Sequence, residues 1–317
     1  MAEYISSFTT GFGEIAARVL PSLLSKARVL HIYDGLIHYT FPGNPSAINS
    51  IPLFNNSWFL LRFFEGKNLS FHRMISEDKS RYPIQEGTFR VRFSQGNQFV
   101  KVDKQISLRA ENAVIKSSRL KLDRLNPTTE LWYVIRDEGF GFYGQLLQKR
   151  AATEKNLHPG ELRPEFAYLM CLCGKPTPTS VILDPFAGYG AIPAQIVKHF
   201  AFGKLYANDI DPGKAQPICE DALHLASIAD TSVDIIITDP PWGYYEEIGD
   251  IAVFYKAMLR EFGRVLKEGG RAVVLSARKE EFTRAAGQSG AFEIEQAIHT
   301  LVNGKKAGVY VLVKTEV

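Results

Sequence analysis

Hydrophobic and polar residues follow one rhythm in the first half of the chain and another in the second. In the first half, apolar residues recur with helical spacing in two segments and alternate with polar residues in several short runs. The helical segments are 12–25 and 103–118, and the strand-like runs are 27–33, 36–41, 58–64, 87–93, 120–125, 130–136 and 140–147. This pattern predicts a mixed α+β domain over residues 1–150.

The polar stretch 151–163, with its Pro and Gly residues, predicts a linker, after which helices and strands alternate one by one. The predicted helices are 164–173, 191–201, 214–225 and 251–267, and the predicted strands are 181–183, 204–207, 233–238 and 271–276. Such alternation predicts a doubly wound α/β domain over residues 164–317, with a parallel sheet covered on both faces. Two further runs, 292–300 and 307–313, flank Asn303-Gly304 and predict an antiparallel hairpin at its end.

Composition and charge support two domains with different partners. The 317 residues are 45% hydrophobic, which is enough for two buried cores. The formal net charge of +3 conceals an asymmetry: residues 1–150 hold 20 Lys and Arg against 13 Asp and Glu, a charge of +7, whereas residues 151–317 hold 17 against 21, a charge of −4. We therefore expect the first half to meet a polyanion and the second to bind something small or cationic.

Cysteine content and hydropathy indicate the cellular compartment in which the protein is expected. The chain has three cysteines, an odd and sparse set that argues against a disulfide framework and favours a reducing compartment. No apolar stretch approaches the roughly 18 residues of a membrane span, and the residues after Met1 do not resemble a secretory signal. The sequence therefore predicts a cytoplasmic protein without a membrane partner. The histidines follow no ligand spacing, and we predict no metal site.

A glycine turn follows the predicted strand 181–183. The run Asp184-Pro-Phe-Ala-Gly-Tyr-Gly190 brings an acid and two glycines to the start of a helix, where backbone can approach a ligand closely. A dinucleotide is disfavoured because Pro193 stands where a third glycine is needed and Asp184 would repel a pyrophosphate. An acid here suits a cofactor with a cationic amino-acid end, and Asp209, after the next strand, is placed to accept from both ribose hydroxyls. These features predict S-adenosylmethionine as the cofactor; Asp211 is the alternative ribose acceptor, although before a proline it is also a typical turn former.

The tetrapeptide Asp239-Pro240-Pro241-Trp242 directly follows the predicted strand 233–238, and it is the motif that indicates the chemistry most specifically. Ligands of doubly wound sheets bind beyond the carboxyl ends of the strands, so this motif is expected beside Asp184. The exocyclic amine of a base is a poor nucleophile, and a carboxylate that accepts one N–H makes its nitrogen more electron-rich. The consecutive prolines fix a backbone carbonyl, that of Pro240, as the second acceptor, and Trp242 offers a flat face for an unstacked base.

These motifs resemble those of the class I methyltransferases, and the tetrapeptide resembles the fourth motif of the members that methylate amines of nucleic acids. The resemblance implies a Rossmann-like fold with catalytic residues at Asp239, Pro240, Pro241 and Trp242. It further implies that Ile210 packs on the adenine and that Asp221 lies near the adenine amine. The implied cofactor-binding residues are Asp184, Pro185, Phe186, Gly188, Gly190, Asp209, Ile210 and Asp221. The aromatic residue of this motif is usually Tyr or Phe, and Trp is commoner in one set of adenine-N6 enzymes.

The first half resembles, in order, the ferredoxin-like and THUMP domains of tRNA (guanine-N2) methyltransferases. The matching features include Thr10-Gly11-Phe12-Gly13-Glu14, the run Phe89-Arg-Val-Arg-Phe93, the basic pair Lys149-Arg150, and Leu162-Arg163-Pro164-Glu165 before the glycine motif. The resemblance implies that this region grips tRNA through its phosphates. The candidate contacts are Arg90, Arg92, Lys116, Arg119, Lys121 and Arg124.

The sequence thus predicts an enzyme that transfers a methyl group from S-adenosylmethionine to the N2 amine of a tRNA guanosine. Two alternatives remain open at this point. One is adenine-N6 methylation of RNA or DNA, and the other is a non-catalytic RNA-binding protein with a degenerate methyltransferase fold.

Overall fold

The computed structural model describes residues 1–66, 68–78, 86–149, 157–214, 216–244, 249–302 and 304–315. The chain divides into two compact units: unit 1 comprises Met1–Ser7 and Val19–Arg150, and unit 2 comprises Phe8–Arg18 and Ala151–Val317. The predicted domain 1–150 is therefore corrected at Phe8–Arg18, which packs with unit 2. Phe12 shows why, because its ring meets Phe166 edge-on at 5.7 Å. Of the predicted linker, residues 151–156 lie outside the described residues.

Unit 1 is built on a nine-stranded, largely antiparallel sheet. Its strands are β1 (Glu3–Ser7), β2 (Arg28–Tyr33), β3 (Leu36–Thr40), β4 (Asn56–Glu65), β5 (Thr88–Gln95), β6 (Gln98–Phe99), β7 (Lys121–Leu122), β8 (Thr129–Ile135) and β9 (Phe140–Lys149). Its helices are α2 (Phe71–Glu77) and α3 (Lys104–Ser117), with a 3-10 helix at Pro45–Ser50, and α1 (Gly13–Leu23) runs from unit 2 into unit 1. The predictions missed β1 and α2, and the strand predicted at 120–125 is only the two residues of β7.

The strand order in unit 1 is β2-β3-β1-β4-β9-β8-β5-β6, with β7 paired to β5. Residues of α2 and α3 such as Met74 and Val114 pack on one face of this sheet. The sheet is strongly curved, since Tyr33 of β2 stacks at 3.9 Å on Phe140 of β9, four strands away. This curvature buries aromatic residues on the second face, among them Trp58.

Unit 2 contains the predicted doubly wound sheet, in the order β11-β10-β12-β13-β15-β14. Its strands are β10 (Val181–Asp184), β11 (Lys204–Ala207), β12 (Val233–Thr238), β13 (Leu266–Ser276), β14 (Phe292–Val302) and β15 (Lys305–Lys314). Its remaining helices are α4 (Pro164–Gly174), α5 (Ala191–His199), α6 (Ile251–Val265) and α7 (Lys279–Gln288), with a 3-10 helix at Pro212–Lys214. Neighbours among β11, β10, β12 and β13 are parallel, and β14 and β15 form the predicted antiparallel hairpin at the edge.

Strand β12 is apolar on both sides because both faces of the sheet are covered. Ile236 packs into the core beneath α6, and Ile235 and Ile237 lie against Gly174 of α4. Helix α6 buries Tyr255 and three further residues at helical spacing in the same core, namely Met258, Leu259 and Phe262. No helix among the described residues is long and apolar enough to cross a membrane.

The helix predicted at 214–225 does not form, and this prediction is wrong. After the 3-10 helix at Pro212–Lys214, the chain makes a single parallel bridge, between Ile218 and Asn208, and then turns. Pro217 is the physical reason, because it lacks the N–H that an interior helical residue donates and drives the preceding residue to an extended conformation. Apart from this 3-10 helix, the described residues of the crossover from β11 to β12 form no helix.

Candidate active site

The carboxyl ends of three neighbouring strands meet at one edge of the sheet in unit 2. Asp184 ends β10, Asp209 follows β11, and Asp239 follows β12. All three line one cavity of about 660 Å³. The cavity lies where ligands of doubly wound sheets bind. Parallel pairing thus brings together acids that are up to 55 positions apart in the sequence.

Most of the predicted cofactor residues lie in this cavity. Those that line it are Asp184, Phe186, Gly188, Asp209, Ile210 and Asp221. Pro185 and Gly190 are not among the lining residues. The carbonyl of Pro185 accepts a hydrogen bond from Asn208 Nδ2 at 3.0 Å, and Gly190 caps the N-terminus of α5.

The glycine turn requires its glycines for their backbone conformation. Gly188 and Gly190 have φ values of 54° and 85°, a region that residues with a Cβ rarely adopt. A Cβ on Gly188 would meet nothing within 4 Å, so the space above it is open to a ligand. The Gly188 N–H donates to Asp209 Oδ2 at 2.9 Å, which joins the turn to the loop after β11.

Asp184 is the most buried acid of the cavity, with 1% of its surface exposed. Its Oδ1 accepts from Thr238 Oγ1 at 2.7 Å and from the Phe186 N–H at 3.3 Å, while within the described chain its buried Oδ2 has no hydrogen-bond partner. Burial raises the pKa of Asp184 from 3.8 to about 7. A buried carboxylate oxygen without a donor is a suitable acceptor for a cationic ammonium group.

The two candidate ribose acceptors have different local roles. Asp209 accepts from the N–H groups of Gly188 and Asp211, each at 2.9 Å, and lies in the cavity wall beneath the glycine turn. Asp211 also lines the cavity, but its Oδ1 accepts from the Gly213 N–H at 2.8 Å, which is the bond of a turn-forming aspartate before Pro212. Both aspartates thus accept from the N–H two residues further on, and Asp209 differs by its bond to the glycine turn; Asp209 stays the predicted ribose acceptor.

Asp221 reaches the cavity by a turn where the sequence predicted a helix. Its Oδ1 accepts from the Leu223 N–H at 2.9 Å, and its side chain is exposed, as is 67% of Ile210. Asn208 fixes the preceding residue, because its buried amide bonds both the N–H and the C=O of Glu220. An exposed apolar residue and an exposed acid therefore line the same cavity, and these are the residue types that an adenine ring and its amine can contact.

All four residues of the tetrapeptide line the cavity. The Trp242 carbonyl accepts from Arg278 Nε at 3.0 Å, which holds the end of the tetrapeptide on the N-terminus of α7. The indole Nε1 of Trp242 is buried and has no acceptor in the described part of the chain. Because an unpaired buried donor costs about 1–3 kcal/mol, this N–H is available to a ligand acceptor.

Several lining residues were missed by the sequence predictions. The segment Pro159–Arg163, predicted as linker, lines the cavity, as do Lys214, Tyr244, Phe254, Val302 and Lys305. His158 anchors the segment by stacking on Tyr189 at 3.9 Å, and Lys214 Nζ lies 3.7 Å from the centre of the Tyr189 ring. Tyr189, between the two glycines, was the feature of the sequence that could have predicted this packing.

The predicted RNA contacts of unit 1 fall into two groups. Arg90 pairs with Glu130, and Arg124 binds Glu111 through two bonds of 2.8 and 2.6 Å. Arg92 lies 3.8 Å from a Glu130 oxygen and over the ring of Phe99. By contrast, three of the candidates are exposed, namely Lys116, Arg119 and Lys121. The side chain of Lys149 and all of Arg150 lie outside the described residues.

The cavity fits S-adenosylmethionine in its donors and acceptors. The Asp184 oxygen that has no partner among the described residues can accept from the ammonium group, Asp209 can accept from the ribose, and Ile210 and Asp221 can contact the adenine. The open space at Gly188 leaves room for the ligand against the backbone. The fold is that of the Rossmann-like methyltransferases, and this site can hold their cofactor.

Comparison with known proteins shows what the chain is similar to. Residues 204–307 match the model of a family described as "RMKL-like, methyltransferase domain". The mouse tRNA (guanine(6)-N(2))-methyltransferase THUMP3 is 30% identical over 244 residues, which cover 64% of this chain and 46% of the mouse protein. The bovine protein of the same name is 33% identical over 207 residues, covering 52% of this chain and 40% of its own length. The chain thus spans less than half the length of these relatives.

Among solved structures, TrmN from Thermus thermophilus is similar in fold, with a TM-score of 0.80. The similarity covers 99% of this chain and 100% of the TrmN chain at 20% sequence identity. The expected Rossmann-like methyltransferase fold is therefore confirmed. The ferredoxin-like and THUMP-like interpretation of the first half remains a prediction.

Proposed function

We propose that the protein uses S-adenosylmethionine to methylate the N2 amine of a guanosine in tRNA. The observation that carries the proposal is the convergence of Asp239-Pro240-Pro241-Trp242 with Asp184 and Asp209 in one cavity. The names of the mouse and bovine relatives, both tRNA (guanine-N2) methyltransferases, support guanine and tRNA over the alternatives. Trp242 is the aromatic residue that is commoner in one set of adenine-N6 enzymes, but the names of these relatives outweigh that resemblance.

In this proposal the tetrapeptide positions and activates the amine. The Asp239 carboxylate accepts one N–H of the exocyclic amine and the Pro240 carbonyl accepts the other, which directs the nitrogen lone pair out of the ring. Trp242 supports the face of the base, and its buried Nε1–H can donate to an acceptor on the base or ribose. The proton released from the nitrogen passes to Asp239 or to water.

The remaining residues of the cavity set distance and alignment. When bound, S-adenosylmethionine supplies an electrophilic methyl group on a sulfonium whose departure needs no acid. Asp184, Asp209 and Ile210 hold the two ends of the cofactor, so that its position relative to Asp239 is fixed by neighbouring strands of one sheet. Catalysis is then mainly a matter of positioning the two reactants in line.

Unit 1 is proposed to bind the tRNA. Residues 1–150 carry a net charge of +7, and Lys116, Arg119 and Lys121 are exposed basic side chains there. Contacts to phosphate give affinity without reading sequence, which is what a tRNA-gripping module needs.

The test is methylation of unmodified tRNA by the purified protein with S-adenosylmethionine, followed by nucleoside mass spectrometry. We expect N2-methylguanosine, and mapping of the modified nucleotide should begin at position 6, the position in the names of the relatives. N6-methyladenosine without N2-methylguanosine would contradict the proposal.

Asp239→Ala separates chemistry from cofactor binding. We expect turnover to fall by at least about 10²-fold because the amine loses its acceptor. The affinity for S-adenosylmethionine, measured by calorimetry, should stay within about twofold of the wild type. Full turnover in this variant would show that Asp239 has another role, and absence of cofactor binding by the wild type would favour a non-catalytic protein.

A further inference from the structure

A second group of side chains lies at the Trp242 end of the cavity and is not used by the proposed chemistry. The Cζ of Arg278 lies 4.2 Å from the centre of the Tyr244 ring, and Lys305 Nζ lies 4.0 Å from the same centre. The ring of Tyr244 also meets that of Trp242 nearly at right angles, at 6.5 Å. We call Arg278, Tyr244 and Lys305 the basic cluster.

Three separate elements of unit 2 bring the basic cluster together. Tyr244 lies in the loop after β12, Arg278 caps α7, and Lys305 begins β15. Arg278 is fixed on the tetrapeptide, since its Nε donates to the Trp242 carbonyl. Tyr244 and Lys305 both line the cavity, and 44% of the Tyr244 surface is exposed. The cluster therefore borders both the cavity and solvent.

Charge differs between parts of the cavity. Asp184, Asp209 and Asp221 line the part proposed to hold the cofactor, whereas Arg278 and Lys305 meet at Tyr244, close to Trp242 and to the tetrapeptide acid Asp239. Two cations within 4.2 Å of one ring centre are closer together than a Debye length, about 10 Å at 0.1 M salt, so their fields add. Cation–π attraction to Tyr244 offsets part of their repulsion. Arg278 and Lys305 thus place two positively charged groups beside Trp242, and both types of side chain bind phosphate.

A nucleic-acid phosphate is the anion that fits this position. A base that enters the cavity to reach Asp239 must leave its stack, while its own sugar–phosphate backbone stays outside. Arginine binds phosphate through a planar fork and lysine through a point charge. We propose that Arg278 and Lys305, spaced by Tyr244, bind the backbone phosphate next to the target nucleotide and so hold the flipped conformation. This inference rests on the proposed function, because it takes the target to be a nucleotide of RNA.

Lys305→Gln tests the phosphate site without altering the residues that contact the amine. We expect KM for tRNA to rise about fivefold, kcat and the affinity for S-adenosylmethionine to stay unchanged, and the slope of log KM against log salt to fall by about 1. Lys305→Arg should restore KM because it keeps the charge.

Lys306→Gln is the matched control. Lys306 is the next residue of β15, so its exposed side chain points to the other side of the strand. It should leave KM and the salt slope at wild-type values. Equal effects of Lys305→Gln and Lys306→Gln, or a loss in kcat without a change in KM, would overturn the proposal.

A binding experiment separates this inference from the proposed function. Fluorescence anisotropy with a labelled tRNA transcript should show weaker, less salt-dependent binding for Lys305→Gln than for Lys306→Gln, whether or not methyl transfer is detected. If the wild type methylates no guanosine but this difference is present, the phosphate site stands and the proposed reaction fails. If methylation occurs and the two variants bind alike, the phosphate site is wrong and the reaction stands.

Discussion

At the scale of single residues, the same side chain has different chemistry in different places of one cavity. Asp211 closes a turn, Asp209 receives two backbone N–H groups, and Asp184 is buried with one oxygen free of partners in the described chain. Burial raises the pKa of Asp184 to about 7. This carboxyl group is therefore half protonated near neutral pH, and a nearby cation would favour its ionised form.

We predict that cofactor affinity depends on the ionisation of Asp184. Because its pKa in the free protein is raised, the protonated form is stable at low pH, and its contribution to folding is lost as pH rises through about 7. Binding of an ammonium group requires the carboxylate, so the affinity for S-adenosylmethionine should be about fivefold to tenfold lower at pH 6 than at pH 7.5. Calorimetry across this range should also detect proton release on binding near pH 6.

Asp184→Asn is the control for this prediction. Its amide oxygen can still accept from Thr238 Oγ1 and the Phe186 N–H, so the turn should keep its shape. The variant should bind more weakly and with little dependence on pH. The same pH dependence in both proteins would assign it to another group.

At the scale of elements, side chains of α6 fix the crossover between β11 and β12 by binding its backbone. Arg264 of α6 donates to the carbonyls of Leu225 and Ile228, each at 2.9 Å, and binds Glu261 and Asp230. Glu261 in turn accepts from the Leu225 N–H at 2.7 Å. These bonds satisfy the backbone groups that a helix would have paired internally.

We predict that Arg264→Ala loosens this crossover. The variant leaves two carbonyls without their donor and removes the cation paired with the buried Glu261 carboxylate, which should cost about 2–3 kcal/mol of local stability. Hydrogen–deuterium exchange over residues 218–232 should become at least about tenfold faster. Arg260→Ala, on the exposed side of the same helix, should leave exchange unchanged. Equal exchange in the two variants would mean that Arg264 does not hold the crossover.

At the scale of the whole molecule, charge is divided between the two halves of the chain. The basic residues behind the net charge of +7 in residues 1–150 are not equally available to an RNA phosphate, because Arg90 and Arg124 are paired with glutamates. Three exposed basic residues are close together in sequence, between the end of α3 and the start of β7, namely Lys116, Arg119 and Lys121. We therefore expect these three to contribute more to RNA affinity than the other candidates.

The combined variant Lys116→Glu, Arg119→Glu and Lys121→Glu should weaken tRNA binding by at least about tenfold and lower the salt slope by about 3. Affinity for S-adenosylmethionine should not change, since no cavity residue is altered. A charge-matched variant, Arg28→Glu with Lys101→Glu and Lys104→Glu, also changes exposed residues of unit 1. Equal losses in both variants would mean that only net charge matters and that these three positions make no specific contact.

The sequence alone determined the elements whose signals are local. The apolar run of β12 and the helical spacing in α6 were predicted because burial on a doubly covered sheet imposes those patterns. The order of the motifs at Asp184, Asp209 and Asp239 was enough to predict one shared cavity, since the carboxyl ends of parallel strands lie at one edge. The helix prediction at 214–225 was wrong because it followed the apolar spacing, although Pro217 disfavours a helix at that point.

Only the tertiary structure decided which other residues reach the cavity and what environment they have there. Pro159–Arg163, Arg278 and Lys305 come from elements far apart in sequence, and no periodicity links them to Trp242. The pKa of Asp184 depends on its burial. Lys116 is exposed whereas Arg124 is paired with Glu111, and this difference depends on which residues of unit 1 lie nearby. Hydrophobic patterning specifies which face of an element is buried, whereas the neighbours of a side chain are fixed only when the elements pack.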